Sequence, residues 1–306
     1  MHENRKNENI LLNNGEKIPL IGLRTDDKNA EEIIYYSIKD GVRLIYISYD
    51  SDNNKSIGEG IQKAINNNLV LRKDLFIIGK FRLTHKDTVE NIIRELLKQL
   101  NLDYLDLILS EWSTEAIHIH KNYYLMTPID ELWKEMENLI KKGLTKSIGV
   151  CNYNIQSLNN ILSFCEIKPV VNAIEFHPYY FQKNMKVFCE KNDIVILALT
   201  PIAKGDNIQS YINDKKDDEI LKTFHENINQ NLVYKYEKTP GQILLNWHIQ
   251  QGIIPIVSTS KINRMEENLE ALDFNLQKKD IDELCHLGKR IKLNNSKEIY
   301  DYDIWA

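Results

Sequence analysis

Two spacings of apolar residues alternate along this chain. Short apolar, β-branched runs recur at residues 20–23, 43–47, 75–78, 105–109, 147–150, 170–174, 194–198 and 253–257. Each has the length of a strand buried on both faces. Between them, apolar residues return every three or four positions over 31–39, 88–100, 129–142 and 241–251, which predicts amphipathic helices. Ahead of this alternation, Ile10-Leu11-Leu12 and Lys17-Ile18-Pro19-Leu20 flank Asn13-Asn14-Gly15. That pattern predicts a hairpin whose Asn-Gly turn tolerates positive φ at both central positions.

Strand following helix eight times predicts a parallel sheet with right-handed crossovers. Eight units point to a closed (β/α)8 TIM barrel with an N-terminal β-hairpin, ahead of an open doubly wound sheet. The length of 306 residues suits one such barrel. No Pro/Gly/Ser linker divides it, so residues 1–306 read as one domain, with a core at about 10–290 and a tail at 291–306. In such barrels chemistry gathers at the C-terminal ends of the strands. The longest irregular pieces, 113–128 and 289–306, are candidate walls of that site.

Composition narrows the function. Hydrophobic residues make up 42% and charged residues 27%, enough for a sizeable core. A net charge of −5 gives no basic surface for nucleic acid or an anionic membrane, and no apolar run reaches a membrane span. The polar start is no secretory signal, and Cys151, Cys165, Cys189 and Cys285 form neither a CxxC pair nor a zinc spacing. A cytoplasmic protein with reduced thiols and a small-molecule ligand is expected, and the sequence identifies no protein partner. Only 12 glycines occur, and neither GxGxxG nor GxxxxGKS is present.

Seven stretches resemble the aldo-keto reductases, in the family's order. They are Gly15-Glu16-Lys17-Ile18-Pro19-Leu20-Ile21-Gly22-Leu23, Leu102-Asp103-Tyr104-Leu105-Asp106-Leu107 and Gly149-Val150-Cys151-Asn152-Tyr153-Asn154, then Lys168-Pro169-Val170-Val171-Asn172 and Glu175-Phe176-His177-Pro178-Tyr179. Lys238-Thr239-Pro240-Gly241-Gln242-Ile243-Leu244-Leu245 and Arg264-Met265-Glu266-Glu267-Asn268 complete the set. The resemblance implies a barrel that binds extended NADP(H) and passes hydride to a carbonyl. In that chemistry a tyrosine donates the proton, a lysine paired with an aspartate lowers its pKa, and a histidine orients the carbonyl.

Carried over residue by residue, the resemblance implies four catalytic positions. Lys80 keeps the lysine. Tyr46 stands for the aspartate, Ser51 for the tyrosine and Glu111 for the histidine. An aliphatic hydroxyl is too weak an acid to replace a phenol. Tyr46 reads first as a packing residue satisfied by Lys80, and Glu111 as an ion-pair partner of Lys80.

The cofactor positions are equally mixed. Asn152 keeps an amide for nicotinamide, whereas Cys151, Ala173 and Leu199 replace the family's serine, glutamine and stacking aromatic. Thr25, Thr259, Arg264, Glu267 and Asn268 remain as NADP-binding candidates, although Ser258 replaces a lysine of the 2′-phosphate grip. NADP binding is therefore expected to be weak or lost.

Phe81, Trp112, Tyr300 and Trp305 are candidate substrate-pocket residues, and Tyr123, Tyr124 and Tyr302 are further apolar candidates. Lys204 and Gly205 read as a pyrophosphate contact or an ordinary loop. His118 and His120 share a strand face but lack a third metal ligand.

Three readings stand. The first is a degenerate reductase that keeps ligand binding. The second is an active NADP(H)-dependent oxidoreductase with a relocated proton donor, either Tyr46 or a tail tyrosine. The third is a structural or regulatory binding module.

Overall fold

The computed structural model describes residues 8–82, 88–111, 117–119, 123–125, 128–203, 231–286 and 292–293. Strands β1 (Asn9–Leu11) and β2 (Lys17–Pro19) form an antiparallel hairpin. Its turn differs from the expected Asn-Gly type. Leu12 N–H donates to the Glu16 carbonyl, so three residues form the loop, and among them only Gly15 has a positive φ, 89°. That is the bulged three-residue turn, in which a single glycine takes the left-handed position.

Eight strands close the barrel in the order β3 (Gly22–Arg24), β4 (Leu44–Ser48), β5 (Phe76–Phe81), β6 (Leu105–Glu111), β9 (Thr145–Cys151), β10 (Val171–Glu175), β11 (Val195–Leu199) and β12 (Ile254–Ser258). Every neighbouring pair is parallel, and β12 returns to β3. The protein is thus a (β/α)8 barrel with an N-terminal hairpin. The piece at 113–128 holds a small ribbon, β7 (Ile117–Ile119) paired antiparallel with β8 (Tyr123–Leu125).

At three of the helices the sequence supplies a side-chain cap. Thr88 accepts from Asn91 N–H, and Asn154 accepts from Ser157 N–H. Thr239 and Gln242 form a reciprocal capping box ahead of Pro240–Ile249.

Period-two alternation divides the core into two layers. Leu44, Tyr46, Phe76, Ile78, Leu107, Leu109, Cys151, Ala173, Leu197 and Ile256 fill the barrel interior. Leu12 and Ile18 of the hairpin join that cluster and stopper the end where the strands begin. The intervening residues, among them Ile45, Ile47, Ile77, Phe81 and Ile108, pack outward against the helices. Further up each strand, the inward row continues into polar residues at the open end: Ser48, Lys80, Glu111 and Glu175. Among the described residues no helix is long and apolar enough to cross a membrane.

Two features of this packing generate predictions. In helix Asn54–Asn66, Gly58 lies against the end of helix Val89–Leu100. A Cβ there would sit 2.7 Å from the Leu100 backbone. Gly58→Ala is expected to push the helices apart and cost about 1–3 kcal/mol in denaturant unfolding.

The second feature is His248, buried with Nδ1 2.7 Å from the Leu244 carbonyl and Nε2 2.9 Å from the Phe176 carbonyl. A neutral imidazole donates to only one of them. Burial depresses its pKa from 6.5 to about 4, against the two carbonyls and reinforced by His177. The unfolded chain takes this proton first as pH falls. The group therefore removes up to about 3 kcal/mol of stability between pH 6.5 and about 4. His248→Gln should flatten the pH dependence of the unfolding midpoint across that window, whatever its effect at neutral pH.

Candidate functional site

The open end of the barrel is built from the last inward residues of successive strands. Lys80 on β5 and Glu111 on β6 are both inward, and their side chains are 9% and 8% exposed. Lys80 Nζ donates to Glu111 Oε2 at 2.6 Å, so the expected ion pair is present. Arg82, two residues beyond Lys80 on the same face, donates its Nε to that same oxygen at 2.7 Å. Two cations thus share one carboxylate oxygen. Burial by itself would raise the Glu111 pKa, but Lys80 and then Arg82 outweigh it and hold the carboxyl below its ordinary value. Glu111 is an anion at neutral pH.

Tyr46 lies one layer deeper on β4 and is 1% exposed. Its hydroxyl meets Cys151 Sγ at 3.8 Å, whereas Lys80 is engaged with Glu111. The expectation of a tyrosine satisfied by Lys80 is therefore corrected. Burial, followed by Cys151 and Glu111, pushes the phenol well above its ordinary pKa. Burial and Glu111 likewise push the Cys151 thiol up to about 12, so this residue is a small interior filler and not a reactive thiolate.

Ser51 stands in the turn after β4. Its N–H donates to the Ser48 carbonyl, and its Oγ accepts from Asn53 N–H at 3.3 Å, one residue before helix Asn54–Asn66. The hydroxyl serves the turn that launches the helix.

Phe81 does not line a pocket. It is fully buried in the layer between barrel and helices, because Lys80 faces inward and the next residue on the strand must face outward.

On the far side of the mouth, Asn152 follows β9 with φ 62°, a left-handed conformation that asparagine tolerates. Its N–H donates to the Ala173 carbonyl at 2.8 Å. The turn is held by the buried Asn172, which accepts from Tyr153 N–H and donates to the Tyr153 carbonyl at 3.0 Å. Ala173 faces inward without a polar atom, and Leu199 ends β11 half-buried.

Further round, Thr25 is buried, and its Oγ1 accepts from Asp27 N–H. Ser258 is exposed at the end of β12. Thr259 Oγ1 accepts from Lys261 N–H at 3.0 Å, just before helix Ile262–Leu269. On that helix Arg264 is exposed and Asn268 half-buried, and neither side chain has a partner among the described residues. Glu267 Oε1 accepts from Thr239 Oγ1 at 2.8 Å, tying the helix to the preceding cap.

Two features escaped the sequence reading. Arg82 was signalled only by its two-residue spacing from Lys80. The second is Glu175, inward at the end of β10 and 4% exposed. It accepts from Leu293 N–H and from His177, whose Nδ1 faces Tyr180 N–H and whose Nε2 therefore carries the hydrogen. Adjacent acid and histidine in Glu175-Phe176-His177 were the available signal. Trp112, Tyr300, Trp305, Lys204, Gly205, His120 and Tyr302 lie outside the described residues, as do the side chains of His118, Tyr123 and Tyr124. Among the described residues there is no group of three metal-ligating side chains.

Known proteins share this architecture. The family model described as "Aldo/keto reductase family" matches residues 15–289. Aldo-keto reductase family 1 member A1 of Gallus gallus is 33% identical over 295 residues, covering 91% of this chain and 87% of that protein. The NAD(P)H-dependent D-xylose reductase of Pachysolen tannophilus is 33% identical over 302 residues, covering 93% and 94% respectively. A Bombyx mori aldo-keto reductase solved in complex with NADP superposes with a TM-score of 0.81 at 28% identity, covering 96% of this chain and 97% of that one. With the match running over nearly the whole barrel, the chain belongs to the aldo/keto reductase family.

Proposed function

We propose that this chain retains the ligand-binding mouth of its family but does not reduce carbonyls by the phenol-and-lysine route. The observation that carries the reading is the shared oxygen of Glu111. Carbonyl reduction needs a proton donor where negative charge develops on the substrate oxygen. Glu111, held as an anion by Lys80 and Arg82, has no proton to give and repels that charge. The ammonium of Lys80 faces this carboxylate and not a phenol. Tyr46, buried under Cys151 with its pKa raised, is a poorer acid than free tyrosine. Ser51 is an alkyl alcohol already engaged in a turn. Losing a positioned donor costs on the order of 10²–10⁴ in rate.

The cofactor positions support partial retention. The exposed guanidinium of Arg264, with Asn268 one helical turn further on, fits the phosphate and base of an adenine nucleotide. NADP(H), when bound, supplies the hydride. At the nicotinamide end Asn152 would hold the carboxamide, while Ala173 adds no second amide and Leu199 no aromatic face. Loss of stacking removes about 0.5–1.5 kcal/mol beyond area burial. The Bombyx mori relative was solved with NADP, and the Pachysolen tannophilus relative is named as NAD(P)H-dependent. We extend nucleotide binding to this chain through the adenosine end.

Two measurements test the reading. NADPH titrated against tryptophan emission should give saturable but weak binding. NADPH consumption with reactive aldehydes and quinones should not rise above the protein-free rate. Protein-dependent turnover contradicts the proposal. The combined variant Tyr46→Asp, Ser51→Tyr, Glu111→His restores an aspartate, a phenol and an imidazole around Lys80. It should raise aldehyde reduction by on the order of 10² over the parent. A variant that folds and binds NADPH yet shows no gain would place the lesion elsewhere.

A further inference from the structure

The end of the barrel opposite Lys80 and Glu111 carries a groove of about 510 Å³. One wall is the hairpin, through Leu11, Leu12 and Asn13, and no residue of β2 lines it. The groove therefore lies on the outer side of β1. The facing wall is helix Lys183–Lys191, the first residues of β11 and the turn before β12. The buried part of the lining is apolar: Leu12, Cys189, Ile194, Ile196 and Ile253. Burial, followed by Glu190, pushes the Cys189 thiol up to about 12, so it adds no charge. Asn13 ties the two walls together, donating its Nδ2 to the Asp193 carbonyl at 3.1 Å.

The hairpin presents a strand edge to this groove. The register sets Ile10 opposite Ile18 and Leu11 opposite Lys17, and Leu12 N–H donates to the Glu16 carbonyl. Bonded and non-bonded pairs alternate in an antiparallel ladder, so Leu11 turns its N–H and carbonyl away from β2. Neither group has a partner among the described residues, and Leu11 is 65% exposed. Water satisfies both groups but leaves the apolar lining beside them uncovered. An apolar small molecule covers the lining but leaves the edge bare. One residue of an antiparallel strand takes both groups of Leu11 at once, and its neighbours in sequence turn with Leu12 toward the lining.

Charge selects further. Of the charged side chains in the lining, Lys186 and Glu190 pair with each other, whereas Asp193 has no ion-pair partner among the described residues. The wall offers one carboxylate to a cation.

We propose that the outer edge of β1 is a docking site for an extended segment of a partner protein, which adds a third strand to the hairpin, lays alternate apolar side chains on the groove and sets a lysine or arginine against Asp193. β1 offers three residues, about 10 Å of edge, so the segment is short. The site is remote from the mouth and stands apart from the function proposed there.

The probes are three capped pentapeptides: Val-Lys-Val-Lys-Val, Val-Glu-Val-Glu-Val, and the first with both lysines N-methylated on the backbone. Side chains opposite one another share a face, so the residue that bonds Leu11 is one of the lysines, and methylation removes its donor. Each peptide is titrated into the full-length protein labelled with nitrogen-15 leucine, and the shift and deuterium exchange of the Leu11 amide are followed. That amide should exchange freely without peptide and become protected by the lysine peptide. The glutamate and N-methylated peptides should each bind at least about tenfold more weakly. Leu11→Pro, which removes the edge N–H, should weaken the lysine peptide by a similar factor, read from the shifts of the other leucines. Should that variant fail to fold, Asp193→Asn, at a φ of 58° that asparagine adopts, should erase the preference for lysine over glutamate.

Absence of any Leu11 shift at millimolar peptide overturns the proposal. So does equal binding of the N-methylated peptide, because the backbone would then not be the ligand. Protection of Leu11 in the dilute free protein overturns it too, since the chain's own residues would already cover the edge. Protection that grows with protein concentration assigns the edge to a second copy and overturns the choice of partner.

Discussion

One carboxylate oxygen shared between an ammonium and a guanidinium governs the open end of this barrel. Two charges taken from water into a protein interior are costly unless each finds a partner. Lys80 is an inward residue near the top of β5, with its side chain only 9% exposed. Glu111 neutralises it from the next strand, and Lys80 and then Arg82 keep the carboxylate ionised against burial. The arrangement gives each of the three charges a partner, and it holds Glu111 below the ordinary carboxyl pKa.

The barrel's alternation is what delivers these residues to one place. Inward positions run from an apolar floor of Leu44, Phe76 and Leu107, through Tyr46, Ile78 and Leu109, to the polar top row. The hairpin residues Leu12 and Ile18 close the floor. Tyr46 belongs to the middle layer, and this depth accounts for its exclusion from water and its raised pKa. Ser51 lies beyond the strand, where its hydroxyl helps to turn the chain into a helix. Glu175 ends the same top row but is already satisfied by His177 and by the backbone of Leu293. It anchors the start of the C-terminal segment at the rim.

The architecture was largely legible because both faces of each strand are buried and each helix carries an apolar stripe. Those two constraints force distinct periods on the sequence. The strand at 105–109 was readable but short by two, since Ser110 and Glu111 continue it as polar outward and inward residues respectively. The hairpin turn was misread because Asn-Gly is compatible with more than one loop, and which residue turns left-handed is set by register. Phe81 was misplaced because aromatic character beside a site lysine says nothing about facing, while position parity does. The Lys80–Glu111 pair was legible from adjacent strands. The third member, Arg82, was signalled only by its two-residue spacing from Lys80, and that spacing does not tell which partner a long side chain reaches.

The central claim concerns the ionisation of a single side chain, which infrared spectroscopy reads directly. Difference spectra of the parent protein against Glu111→Gln isolate the Glu111 carboxylate stretch during a pH titration. The account predicts that this carboxylate stays ionised from neutrality down past the ordinary carboxyl value of 4.5. A protonated carboxyl band appearing for Glu111 near neutral pH would contradict it, because the residue would then hold the proton that a reductase needs.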